Sequence, residues 1–188
     1  MLFENLSRGV ANAPTTAAKA AIGRAAEFSI AKHRALADEI TRSGGSVADA
    51  MSPYTTAIDE FDRRTRGADW HETLMTAYLT AGFLDDFYAR LASGLRTDER
   101  ERIQVIFADR AGEAVLLQQL SDELVDNPRL AARLALWGRR LVGDTMLAAR
   151  SALTLSDNRK SDEARVEPVF TELIAAHTRR MDALGLTA

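Results

Sequence analysis

Apolar positions recur along this chain at spacings of three and four residues, the period of an α-helix with one buried side. The longest run is Leu74, Ala77, Ala81, Leu84, Tyr88 and Leu91, and a second is Leu130, Leu134, Trp137, Leu141 and Ala148. Val169, Leu173, Ala176 and Met181 make a third, and Tyr54, Ile58 and Phe61 a short one after Pro53. Punctuation between the runs predicts where helices begin and end. A short first helix runs to about residue 11, and a second goes from a cap at Thr15 or Thr16 to Arg42, where Ser43-Gly44-Gly45 ends it. Residues 46 to 69 form a crossing segment containing a short amphipathic helix. A third helix runs from an Asp69 cap to Gly94, and a fourth runs unbroken from Thr97 to just before Asn127-Pro128. A fifth starts at Pro128, and a sixth spans about Glu167 to Leu184 before Gly185. The polar stretch Ser156 to Asp162 predicts a mobile loop between these last two.

Composition agrees with an all-α chain. Among 188 residues there are only 11 Gly and 4 Pro, with 46% hydrophobic and 27% charged positions, so one compact domain over 1–188 is expected. Cysteine is absent, which excludes disulfides and thiolate chemistry and suits a cytoplasmic location. A net charge of -3 argues against a chain that binds nucleic acid over its whole surface. There is neither an 18-residue apolar run nor a basic segment followed by an apolar one at the start, so no membrane association is expected.

The fourth helix breaks the apolar rule. Ile106, Asp109, Glu113, Leu116 and Leu120 share one side, so two carboxylates interrupt a core stripe. Glu27-Phe28-Ser29-Ile30 and Asp109-Arg110-Ala111-Gly112 each read as an acid-x-x-His metal motif with the histidine replaced, by Ile30 and Gly112. Residues equidistant from a short turn share a height in an antiparallel hairpin. Glu27 lies fourteen residues beyond Ala13, while Ala81 and Asp109 lie fourteen either side of Leu95, so the three are expected at one level. The corresponding position on the first helix falls before Met1. His33 lies about 240° around the helix from Glu27, and His71 and His177 sit near helix ends.

Phe3-Glu4-Asn5-Leu6, Ala26-Glu27-Phe28, Met51-Ser52-Pro53 and Asp85-Asp86-Phe87-Tyr88 appear in that order along the chain. Leu134 to Gly143 (LALWGRRLVG) and Ala176 to Met181 (AHTRRM) complete the series. Together they resemble an actinobacterial ferritin-like family described as similar to the tRNA hydroxylase that acts on 2-methylthio-N6-isopentenyladenosine. The resemblance implies a ferritin-like four-helix bundle with additional C-terminal helices and a short N-terminal helix. In members with full ligand sets it also implies an O2-activating di-iron centre. Of the six ligand positions, only Glu27 and Asp109 keep an acid here, with Ala81 at a third.

The sequence therefore leads to a ferritin-like bundle that has lost its di-iron site and acts without catalysis, through partner contacts or as a homodimer. No cofactor and no catalytic residue are expected, and Glu27, Asp109 and Glu113 are vestigial metal candidates. Arg24, Arg34 and Arg110 are candidate partners for these acids. The alternative is a non-haem di-iron hydroxylase acting on a modified tRNA adenosine, with di-iron as cofactor. Arg139, Arg140, His177, Arg179 and Arg180 are the candidate RNA or partner contacts.

Overall fold

The computed structural model describes residues 1–125, 127–154 and 163–188, with side chains described for all of these except 151–154 and 163–167. Among the described residues every regular element is helical. The helices are α1 (Leu2–Asn12), α2 (Thr16–Arg42), α3 (Val47–Met51), α4 (Thr55–Thr65) and α5 (Trp70–Leu91), followed by α6 (Thr97–Ala108), α7 (Ala111–Leu124), α8 (Pro128–Thr154) and α9 (Glu163–Ala183). Short 3-10 turns occupy Ser52–Tyr54 and Ala92–Gly94. The mobile loop expected at Ser156 to Asp162 lies outside the described residues.

Polar residues cap these helices, Thr15 and Asp69 where the sequence places them and Asn127 at the start of α8 without having been expected there. Thr15 Oγ1 accepts from the Ala18 amide at 3.1 Å, Asp69 Oδ1 from Glu72 at 2.9 Å and Asn127 Oδ1 from Leu130 at 3.2 Å. Gly44 (φ 83°) and Gly185 (φ 68°) end α2 and α9 in the left-handed conformation. The amide after each glycine reaches back to the last turn, Gly45 to Ile40 O and Leu186 to Met181 O, both at 3.0 Å. Thr97, expected to start the fourth helix with a cap, makes no such bond. The sixth helix begins four residues earlier than expected, at Glu163.

The expected unbroken fourth helix is two helices. Asp109 leaves the α region at φ -70°, ψ 110°, and its own carboxylate accepts the Ala111 amide at 2.9 Å. A short acidic side chain can take an amide two residues on in this way, offering the backbone an alternative to the helical ladder. The chain kinks there and restarts as α7.

Helices α1, α2, α7 and α5 pack in a closed ring, each against the next. Leu6, Ile22, Leu74, Leu116 and Leu120 fill its centre, all fully buried. Helices α8 and α9 pack on α5 from outside the ring, and α4, from the crossing segment, lies on α8. A second apolar cluster, Phe83, Phe87, Ala149, Phe170 and Leu173, joins α5, α8 and α9. Because α5 has neighbours on nearly every side, its first half is buried almost all round and its expected single stripe does not hold. Leu74 and Ala77 are buried, but Tyr88 and Leu91 face outward, and Phe83 and Phe87 take the inner positions.

Two tryptophans tie the layers with their indole N–H groups. Trp70 Nε1 donates to Gly9 O at 3.2 Å across the ring, and Trp137 Nε1 donates to Thr76 Oγ1 at 2.9 Å between α8 and α5. At Gly138 a β-carbon would lie 2.5 Å from Met181 Sδ, so this residue lets α8 and α9 approach closely.

Candidate functional site

Charged groups converge where α2, α5, α7 and α9 meet. Helix α5 contributes Asp85 and Asp86, α7 contributes Glu113, α2 contributes Lys32, the kink contributes Arg110 and α9 contributes Arg180. Three acids thus face three bases. Lys32 Nζ sits 2.5 Å from Asp85 Oδ2 and also donates to Asp109 O at 3.1 Å. Arg110 pairs with Asp86 and donates to Glu113 Oε2 at 3.1 Å, with Asp85 at 3.8 Å. Arg180 bridges the innermost acids, donating from Nε to Glu113 Oε1 at 2.7 Å and from Nη2 to Asp86 Oδ2 at 2.8 Å. The Arg180 side chain is only 10% exposed.

Local sequence explains how so long a side chain reaches this point. A β-carbon on Gly82 would lie 2.1 Å from Arg180 Nε, so the missing side chain is the passage through which the guanidinium crosses α5. The Tyr78 hydroxyl donates to Arg180 O at 3.3 Å. Burial pushes that phenol up to about 12, with help from Glu113 and against the opposing Arg180. Burial also holds Asp85 above the ordinary carboxylate range, outweighing its bond to Lys32. For Arg180, burial opposes the charge, but Glu113 and Asp86 raise its pKa further.

One turn before Arg180 on α9, His177 is 4% exposed. Burial and then the Arg180 charge push its imidazole down to about 4, so it is neutral at ordinary pH. Among the described residues, His177 Nε2 and Arg180 Nη1 are buried with no hydrogen-bond partner.

The residues singled out from the sequence are only partly brought together. Glu113 is inside the cluster, and Arg110 is its partner as anticipated. Glu27 is exposed on α2, and Arg24 and Arg34 are exposed as well. Asp109 is exposed at the kink, where it caps α7. The predicted level of Glu27, Ala81 and Asp109 is displaced by about one helical turn, since Asp109 lies beside Lys32 and Lys32 reaches Asp85. The kink defeats counting from the turn. Gly112 does face α2, where its β-carbon would sit 3.2 Å from Phe28 Cβ.

The candidate RNA contacts divide in the same way. Arg139, Arg140 and Arg179 are exposed, but His177 and Arg180 point inward and share no surface with them. Arg140 lies over the Trp137 ring at 5.0 Å, and Arg139 donates to Thr187 O at 2.8 Å. Sequence reasoning missed Lys32, Asp85 and Asp86 as members of the cluster. The available signal was Asp85-Asp86 inside the apolar run Phe83 to Phe87.

A ring of four helices with acids projecting between them defines the ferritin-like class of carboxylate bundle. The family profile described as "Ferritin-like domain, actinomycetes" matches residues 1–169, and the chain belongs to that family. The comparison with curated proteins finds no match.

The fold family implies a di-iron centre, for which a carboxylate-rich site needs about four acids and two imidazoles facing open space. Among the described residues no three His, Cys, Asp or Glu groups are arranged to hold a metal ion. The inner oxygens of Asp86 and Glu113 face a guanidinium instead. These donors do not fit a di-iron centre.

Proposed function

We propose that this chain is a non-catalytic ferritin-like bundle that works in the cytoplasm by contact, with a partner protein or with a second copy as a homodimer. The observation that carries this reading is Arg180, whose guanidinium lies 2.7 Å from Glu113 and 2.8 Å from Asp86 between the acids that would otherwise be free to ligate. A fixed internal cation satisfies both carboxylates and removes their affinity for a second one. Exposure of Glu27 and Asp109 supports the same reading. Large apolar side chains left exposed on several helices, such as Phe28, Val105 and Leu136, support contact as the mode of action. No helix among the described residues is long and apolar enough to cross a membrane.

Metal analysis of protein purified from iron-supplied cells tests the proposal. The expected content is far below one ion per chain. Near-stoichiometric iron or manganese that survives dialysis overturns it.

The second reading, a di-iron hydroxylase of a modified tRNA adenosine, draws on the resemblance and on the exposed Arg139 and Arg140 of α8 and Arg179 of α9. It predicts salt-dependent retention of tRNA that weakens when Arg139 and Arg140 become glutamate in a folded protein. Lack of retention at low salt removes it.

A further inference from the structure

A cavity of about 420 Å³, within the range of small-molecule sites, lies between α1 and the first half of α5, with the chain from Thr65 to Asp69 as a third wall. Unlike the bundle centre it is lined by hydroxyls. Thr73, Thr76 and Thr80 follow one another at three- and four-residue spacing on one side of α5, and Thr65, the last residue of α4, joins them. Thr65, Thr76 and Thr80 are buried and Thr73 is partly buried. Helix α1 lines the opposite wall with Asn5, Gly9 and Asn12 among others.

The four hydroxyls share one hydrogen-bond state. Thr65 donates to Phe61 O at 2.8 Å, Thr73 to Asp69 O at 2.8 Å, Thr76 to Thr65 O at 3.0 Å and Thr80 to Thr76 O at 2.6 Å. A carbonyl can only accept, so every hydroxyl proton is committed and only oxygen lone pairs remain. Thr76 shows the use of that remaining capacity, because its oxygen accepts the Trp137 indole N–H at 2.9 Å. Among the described residues no donor reaches the side-chain oxygens of Thr65, Thr73 or Thr80. Valine fills the same space without burying a hydroxyl, and a threonine bonded to its own helix slightly destabilises it, so packing does not account for Thr73 and Thr80. An occupant of this cavity must therefore bring donors. Arg8 and Arg66 also line it and repel ammonium groups, which leaves hydroxyls as the donors that fit.

We infer that this cavity binds a small ring polyol, a cyclitol or monosaccharide, whose hydroxyl protons satisfy the threonine oxygens. Thr73 and Thr80 stand about 10 Å apart along α5, a span that opposite hydroxyls of a six-membered ring bridge with one hydrogen bond at each end. Asn12, whose side chain makes no hydrogen bond among the described residues, offers the ligand both a donor and an acceptor from α1. The cavity shares no residue with the arginine-filled cluster and stands whether or not that cluster ever holds a metal.

Isothermal titration calorimetry of the full chain with myo-inositol, and with glucose as a second probe, tests the inference. Saturable binding at millimolar ligand or below is expected for at least one of them. Fully O-methylated inositol keeps every oxygen but loses every donor, and should not bind. Thr73→Val and Thr80→Val preserve side-chain shape and should each weaken the polyol by about three- to tenfold, the worth of one hydrogen bond. Asn12→Ala, at an exposed position, should have an effect of the same size and serves if a valine variant fails to fold. Thr145→Val removes a buried hydroxyl bonded to its own helix in the same way, but from α8 outside the cavity, and should change nothing. Absence of saturable binding by both myo-inositol and glucose overturns the inference. So does binding that survives O-methylation, or that is unaffected by the three cavity variants, or that falls as far in Thr145→Val as in them. Binding of inositol monophosphate without binding of either polyol would mean anion capture by Arg8 and Arg66, and overturns it as well.

Discussion

Arg180 reaches the acidic cluster only because residue 82 has no side chain, and the two residues can be tested as one device. Truncating a nearly buried arginine leaves Asp86 and Glu113 short of their shared cation, which costs several kcal/mol when a buried pair loses one partner. Arg180→Ala should therefore lower unfolding free energy by about 3 kcal/mol in urea titrations. Gly82→Ala should cost a similar amount, because the new methyl displaces the guanidinium without touching either acid. The double variant should cost little more than either single change, since both remove the same interaction. Full additivity would mean that Gly82 does not serve Arg180. Glu27→Gln makes the contrasting case: an exposed side chain away from such a network should shift stability by no more than about 0.5 kcal/mol.

At the scale of the element, α9 carries a titratable group whose effect has a definite sign. His177 is pushed from an ordinary 6.5 down to about 4, so between those values the unfolded chain binds a proton that the folded chain does not. Stability is then fully present above about 6.5 and falls as the pH drops, at a slope of at most about 1.4 kcal/mol per pH unit. Asp85, raised by burial, acts with the opposite sign within the carboxylate range. Urea midpoints measured from about pH 7 to 5 should decline for the natural sequence, and the His177→Gln variant should show a shallower decline. An unchanged slope would place the imidazole in contact with water.

Helices α2, α5 and α8 were legible from the sequence because each combines recurring apolar positions with a polar residue at its start, Thr15, Asp69 and Asn127. The α6–α7 kink was not, since an acid at Asp109 matches the helical period and only its bond to the Ala111 amide reveals a break. That hidden break also misplaced the level of the site. The partners of Glu113 were half legible: Arg110 lies three residues away on the same turn, whereas Arg180 is sixty-seven residues distant and arrives through a helix that packs outside the ring. Local patterns cannot report a cation delivered by tertiary packing. The Trp137 to Gly143 and His177 to Met181 segments, which carry part of the family resemblance, do meet in space. Gly138 makes room for Met181, and Arg180 beside it enters the cluster.

Across the whole molecule, stability is distributed around α5. It contacts α1, α6, α7, α8 and α9, carries Trp70 and Thr76 as anchors for tryptophan hydrogen bonds, and supplies two of the three clustered acids. Such a helix cannot open without disrupting both the ring and the outer layer. The crossing segment is the opposite case: α3 and the 3-10 turn after it contain no buried residue, so their hydrogen bonds are backed by little packing. Local opening free energies follow buried contacts, from near zero for weakly packed segments up to the global value. Native-state hydrogen exchange should therefore find the amides of Leu74 to Phe83 exchanging only through global unfolding, while those of 47–54 exchange through local opening with little protection. Arg180→Ala sharpens the expectation, since Arg180 fastens α9 to α5 and α7. It should lower protection in α9 by more than it lowers protection in α1, which has no residue in the cluster. Equal losses in both helices would mean that the bundle opens as one unit and that the charged cluster sets total stability without holding any one helix in place.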